Sequence, residues 1–283
     1  MMPQVFSRKM LGQFAALVGL LVPAQASAEL MLYPTRIVID DKQRSGQVQL
    51  VNRGTQPETY RIGLFNSKMS ETGEIMVAEP EVSDAAFAQD MLVYTPRQVT
   101  LQPGESQTVR MSVRRPPDLA TGEYRSHLRF SRVADSSGGT SVENAANPDP
   151  GKVAIVLQAL IGASIPVIIR HGPTSATIRL EALALSSSKP DTQPVLSAVF
   201  HRSGNRSVYG DLTATYIAPG KRPVQVGKVS GIAIYVPNAM RRAKMALTAP
   251  DGVALSGGSL VLRYTERPDM GGALLAETQM LVP

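Results

Sequence analysis

Residues 153–170, VAIVLQALIGASIPVIIR, carry an apolar residue at every odd position from Val153 to Ile169. This two-residue period is typical of a β-strand, because successive side chains of a strand point to opposite faces. An ordinary strand has about 5–6 residues, so the run is about three times that length. We therefore expect a strand that either bridges two domains or presents apolar side chains to a partner.

The first 28 residues are typical of a signal peptide. Arg8 and Lys9 form a basic start, 10–22 are apolar, and Ala26-Ser27-Ala28 is a small-residue cleavage site. The apolar stretch is too short for a transmembrane helix, and no later stretch reaches the roughly 18 residues that one needs. We therefore expect an exported protein that is not inserted in a membrane.

The composition argues against several classes of function. The chain of 283 residues has no cysteine, which excludes disulfides and thiolate metal sites. Its net charge of +6 comes from scattered Lys and Arg, and with 5% aromatic residues this does not indicate a nucleic-acid partner. The three histidines, His127, His171 and His201, stand alone, without catalytic or metal-binding spacing. We expect a non-enzyme with no catalytic residues, metal or cofactor.

Short alternating runs separated by turn residues fill the rest of the chain, as in Met31–Asp40, and only 84–90 has the character of a short helical turn. Residues 135–152 are rich in Ser, Gly, Asn and Pro and are interpreted as a long mobile loop. The segment 170–173, which contains Gly and Pro, is a candidate hinge. The prediction is an all-β protein of two immunoglobulin-like β-sandwiches, with a signal peptide at 1–28 and domains at 29–172 and 173–283.

Several segments, taken in order, resemble the periplasmic chaperones of the chaperone–usher pilus pathway. No single segment is specific to this family, but the order and spacing of the segments behind a signal peptide make the resemblance specific. The segments are LYPTRIV at 32–38, VQLVNRG at 48–54 with YRI at 60–62, YTPR at 94–97 with PG at 103–104 and TVR at 108–110, GEYRSHL at 122–128, SGNR at 203–206, and the strand from Gly257-Gly258 to Tyr264.

The resemblance implies two immunoglobulin-like domains in an L-shaped arrangement, located in the periplasm. Such a chaperone caps pilus subunits by donor-strand complementation and delivers them to an outer-membrane usher. The donor strand would be 153–170. Aligning its basic end on Arg170 places the donor side chains at the odd positions: Ile155, Leu157, Ala159 and Ile161.

The family also holds the carboxyl terminus of the subunit with two cations in the cleft between the domains. Arg36 matches the arginine, and alternation places it on one face with Leu32 and Val38, opposite Ile37 and Ile39. The lysine is missing, since Pro166 or Ser164 stands at its position.

Two substitutes for the missing lysine are Arg125 and Arg170. Arg170 is better placed to stiffen the interdomain hinge, with Glu266 or Asp269 as its partner. Pro166 also removes a ladder donor, so we expect weaker or bent pairing there.

Two alternatives remain open at this level. In the absence of the resemblance, the odd face of 153–170 would simply fill the core of this protein. A secreted two-domain structural or adhesive surface subunit is the second possibility. An exposed donor strand also needs cover, which the loop at 135–152 or a self-capping homodimer would supply.

Overall fold

The computed structural model describes residues 30–79, 86–133, 162–186, 193–249 and 254–282. Within these ranges the chain forms two β-sandwiches joined by residues 172–175. This agrees with the predicted all-β class of two immunoglobulin-like domains.

The strands of the first sandwich form two sheets and a small hairpin. One sheet has the order β1-β3-β9-β7, the other β2-β11-β10-β4-β8, and β5 pairs with β6. The strands are β1 (Leu30–Tyr33), β2 (Ile37–Ile39), β3 (Ser45–Asn52), β4 (Glu58–Phe65), β5 (Ser67–Met69), β6 (Ile75–Val77), β7 (Leu92–Thr95), β8 (Gln98–Leu101), β9 (Ser106–Val113), β10 (Gly122–Arg132) and β11 (Gly162–His171).

The second sandwich also has two sheets, of order β12-β13-β16 and β15-β14-β17-β18. Its strands are β12 (Ala176–Ser186), β13 (Val195–Gly204), β14 (Val208–Ile217), β15 (Val224–Ile234), β16 (Met240–Ala246), β17 (Gly258–Glu266) and β18 (Leu274–Val282). The helical turn expected at 84–90 is a single 3-10 turn at Gln89–Met91, while 84 and 85 lie outside the described residues.

The strand predicted at Met31–Asp40 is divided between the two sheets of the first domain. β1 pairs antiparallel with β3, whereas β2 pairs parallel with β11. Pro34 follows β1 directly and has no N–H to extend that ladder. The sequence predicts that Leu32, Arg36 and Val38 lie on one face of a single strand. Because the chain changes sheet, this prediction is wrong for Leu32, which packs against the core of the first domain.

Each domain has its own apolar core between its sheets. The odd residues of β11, Ile165, Val167 and Ile169, are buried in the core of the first domain. Ile168, on the opposite face of β11, packs instead against residues of the second domain. Alternation along one strand therefore serves two packing surfaces, the core and the domain interface.

The ladder between β10 and β11 is continuous from Gly122↔His171 to Ser131↔Gly162. Pro166 lies opposite His127 in this ladder without a register shift. Pro166 therefore does not interrupt the register, which ten consecutive pairs fix on both sides of it.

Candidate functional site

Arg36 lies in the cleft between the two domains, in the link between β1 and β2. Its guanidinium carbon is 3.9 Å from the centre of the Tyr209 ring, and its Nη2 donates to the Tyr235 hydroxyl at 2.9 Å. Both tyrosines belong to the second domain. The Nε and Nη1 atoms of Arg36 are buried and have no hydrogen-bond partner among the described residues. These two donors lie on different edges of the planar guanidinium, so each can donate to a separate acceptor, such as one oxygen of an anion in the cleft.

Tyr235 stands between Arg36 and a second arginine, Arg125 of β10. The guanidinium carbon of Arg125 is 3.9 Å from the centre of the Tyr235 ring, and its Nη2 donates to the carbonyl of Ser67 at 3.0 Å. Burial lowers the pKa of Arg125, and the charge of Arg36 lowers it further, although Tyr235 and Glu123 act in the opposite direction. An arginine remains protonated in spite of such a shift. The cleft is therefore strongly positive.

A third arginine, Arg241 of β16, enters the cleft from the second domain. Its Nη1 donates to the carbonyl of Ala233 and lies 3.8 Å from the sulfur of Met69. Its side chain passes over Gly73, where an added Cβ would collide with the guanidinium. The Nε atom of Arg241 is buried and has no partner in the described part of the chain.

The β5–β6 hairpin of the first domain reaches the second domain and forms one wall of the cleft. The side-chain amide of Asn238 donates to the carbonyl of Met69 at 2.8 Å, and the backbone N–H of Arg242 donates to the carbonyl of Glu71 at 2.7 Å. Beneath these contacts lies an apolar cluster that joins the domains: Met69, Ile168, Ala233 and Tyr235, with Val38 and Tyr209 at its edge.

Two pockets open on either side of Arg36 and Tyr209. The first, of about 560 Å³, is lined by Arg170, Arg267 and Asp269 among others. The second, of about 280 Å³, we call the basic pocket. Among the described residues no carboxylate lines it; its walls are Thr35, Arg36, Met69, Gly73, Ile75, Pro166, Tyr209, Gly231, Ala233, Tyr235 and Arg241.

His127 lies behind the cleft and adds no charge to it at neutral pH. Its ring is 3% exposed, and its Nδ1 is 2.7 Å from the hydroxyl oxygen of Ser67. Burial is the main cause that lowers the pKa of His127 to about 4, and the charges of Arg125 and Arg36 contribute. The ring is therefore neutral above about pH 5.

Arg170 is held by a partner other than the predicted ones. Its Nε donates to Oε2 of Glu123 at 3.1 Å, and the same oxygen accepts the backbone N–H of Ser207 of the second domain at 3.1 Å. The prediction of Glu266 or Asp269 is wrong. Glu123 faces Arg170 directly across the β10–β11 ladder, a pairing that register alone decides.

The four predicted donor residues, Ile155, Leu157, Ala159 and Ile161, lie outside the described residues. Strand β11, which begins at Gly162, pairs with β10 along its whole length but with β2 only from Val167 to Ile169. On the β2 side, 162–166 have no ladder partner among the described residues. Within the described part of the chain, this stretch of β11 is an unpaired edge, beside the basic pocket that Pro166 lines.

The cleft thus contains one predicted anchor, Arg36, together with residues that the sequence did not indicate. Arg125 is a predicted substitute for the missing lysine, but it packs on the Tyr235 ring and does not line the basic pocket. Tyr209, Tyr235 and Arg241 come from three different strands or turns of the second domain. No local pattern marks them, because only domain packing brings them to Arg36.

Among the described residues, no group of three or more His, Cys, Asp or Glu side chains is placed to hold a metal ion. In the same residues, no helix has the length and apolar character to cross a membrane.

No protein-family model matches this chain, and none of the curated proteins matches it. Solved structures of pilus chaperones are similar to it over most of its length. A chaperone–tip adhesion subunit pre-assembly complex, CsuC–CsuE of Acinetobacter baumannii, matches 90% of this chain and 100% of the solved chain at 12% identity and TM-score 0.46. The YadV chaperone matches 89% of this chain and 99% of the solved chain, at 14% identity and TM-score 0.45. The CupB2 chaperone of Pseudomonas aeruginosa matches 88% of this chain and 98% of the solved chain, at 11% identity and TM-score 0.41.

Proposed function

We propose that this protein is a periplasmic chaperone that binds pilus subunits by donor-strand complementation and passes them to an outer-membrane usher. The observation that carries the proposal is the cleft, where Arg36 holds two buried N–H donors that have no partner among the described residues. The resemblance found in the sequence assigns this arginine to the terminal carboxylate of a subunit. A carboxylate oxygen would satisfy one of these donors through a charge-assisted hydrogen bond.

The strand that leads to the cleft supports the same function. β11 offers an edge at 162–166, and the alternation of its odd residues continues back through Ile161, Ala159, Leu157 and Ile155. A subunit that lacks one strand would gain ladder hydrogen bonds from this edge and apolar side chains for its open core. Each large side chain that leaves water contributes about 1.5–3 kcal/mol. The ladder itself mainly sets the register.

The donor residues can be tested by placing charge on them. The full chain is expressed in the periplasm of a host without its own pilus systems, together with each small exported reading frame encoded beside its gene. The wild-type chain is expected to recover a soluble subunit. The double variant Leu157→Asp/Ile161→Asp should recover at least about ten-fold less, since it loses two apolar contacts and would bury two charges. The measurement is the amount of subunit that copurifies with the tagged chain.

A matched control places two charges on β9, at the exposed residues Gln107 and Ser112. Gln107→Asp/Ser112→Asp should recover as much subunit as the wild-type chain. Equal recovery by the donor-strand variant would refute the strand-lending mechanism. Failure of the wild-type chain to recover any neighbouring product, with the product found instead in surface fibres that contain this chain, would refute the chaperone function.

A further inference from the structure

The basic pocket is lined by a cation from each domain and by Pro166, where the predicted lysine is absent. Arg36 comes from the first domain and Arg241 from the second. We propose that Arg241 is the second cation of the carboxylate anchor, so that the two domains grip the end of the subunit together. This inference rests on the chaperone function proposed above and assigns the partner of the basic pocket.

Arg241 is held in position by the structure around it. The carbonyl of Ala233 accepts from its Nη1, which fixes the side chain along the floor of the pocket. Gly73 lies at a positive φ of 90°, which favours glycine, and its lack of a side chain leaves room for the guanidinium. The donor at Nε remains buried with no partner in the described ranges.

The charge of the pocket favours an anion. Arg36 and Arg241 are both cations. Burial lowers the pKa of Arg241, although Tyr264 and Tyr235 act in the opposite direction. In the described part of the chain, no acidic side chain lines the pocket to compensate the two cations. A carboxylate has two oxygens and can accept one charge-assisted hydrogen bond from each guanidinium group.

Arg125 has a different role in this arrangement. It does not line the basic pocket; its guanidinium carbon lies 3.9 Å from the centre of the Tyr235 ring, and its Nη2 donates to the Ser67 carbonyl. Because the Tyr235 hydroxyl accepts from Arg36, Arg125 positions the anchor through that ring. It is a positioning residue and not a ligand of the carboxylate.

The extended end of the subunit also has an apolar path to the pocket. Ile75 lines the pocket, and Val77, which lies on the same face of β6, is 63% exposed. They pair with β5 alone among the described residues. A chain end whose carboxylate lies between Arg36 and Arg241 would place its preceding apolar side chains along this hairpin.

The test uses two synthetic peptides that copy the last fifteen or so residues of the copurified subunit, one with a free carboxylate and one with a C-terminal amide. Calorimetry measures their affinities for the full-length protein. The wild-type protein should bind the free acid at least about ten-fold more tightly than the amide, as expected for a charge-assisted pair. Arg241→Met should lower the affinity for the acid about ten-fold and leave the amide unchanged. Gly73→Ala, which keeps the charge but displaces the guanidinium, should show the same loss.

Arg242→Met is the matched control, because Arg242 is the next residue of β16 and its side chain is 54% exposed. It should keep the wild-type ratio of acid to amide affinity, and thermal unfolding should show that all variants are folded. If Arg241→Met retains the wild-type ratio while Arg36→Met loses it, the inference about Arg241 is overturned and the proposed function stands. If the wild-type protein binds neither peptide and recovers no neighbouring subunit, both are overturned.

Discussion

Replacing Glu123 with alanine is expected to lower the free energy of unfolding by about 3–5 kcal/mol, the range for removing one partner of a buried ion pair. The Glu123 side chain is 1% exposed, and its Oε2 accepts from both Arg170 and the backbone N–H of Ser207. The alanine variant leaves a guanidinium and a backbone N–H without their acceptor. Arg202 loses a neighbour as well, because the charge of Glu123 opposes the lowering of its pKa by burial.

The loss should also weaken the coupling between the domains, since Ser207 belongs to the second domain and Glu123 to the first. Denaturant unfolding, followed by circular dichroism and by tyrosine fluorescence, measures both effects. The wild-type protein should unfold in one transition and Glu123→Ala at lower denaturant, with two separable transitions. Glu123→Gln keeps an acceptor oxygen and should lose less of the free energy of unfolding. It can be measured even if the alanine variant does not fold.

Glu277→Ala is the matched control for Glu123. Glu277 also pairs with an arginine across two neighbouring strands, Arg263 of β17, but both side chains are largely exposed. Exposed pairs contribute about 0–1 kcal/mol, so this variant should unfold close to the wild-type midpoint. Equal midpoints for Glu123→Ala and Glu277→Ala would contradict the assigned interdomain role of Glu123.

Protonation of His127 is expected to reduce the stability of the protein by about 3 kcal/mol between pH 6.5 and pH 4. The folded protein lowers the pKa of His127 from 6.5 to about 4, so in this window the unfolded chain binds the proton more readily than the folded one. The free energy of unfolding therefore falls as the pH falls below 6.5. Above that pH both states are neutral and this contribution vanishes.

The measurement is a series of denaturant titrations from pH 7.5 to pH 4 on the wild-type protein and on His127→Gln. The difference between the two curves isolates the histidine. The carboxyl of Asp41 has a pKa below 3.8, mainly because of its hydrogen bond from His171, and so it titrates below the window. Parallel stability curves for the two proteins would show that His127 is not buried as described. An imidazole proton resonance that titrates near pH 6.5 and disappears in His127→Gln would show the same.

Much of the fold follows from the sequence because strand formation is largely a local property. The alternation of β10 and β11 and the turn residues before β9 predict strands close to those observed. The strand at β1 and β2 was predicted as one, since alternation continues across Pro34 and carries no information on which sheet each half joins. The hairpin of β5 and β6 gave no such signal because its strands have only three residues each.

The sequence by itself determined the two-sandwich architecture, the position of Arg36 as an anchor candidate and the absence of the expected lysine near Pro166. It could not identify Glu123 as the partner of Arg170, because strand register selects that pair. Only the tertiary structure placed Tyr209, Tyr235 and Arg241 around Arg36, through contacts between residues that are about two hundred positions apart. Alternation and turn chemistry act over a few residues, whereas the charge and shape of the cleft depend on how the two domains pack against each other.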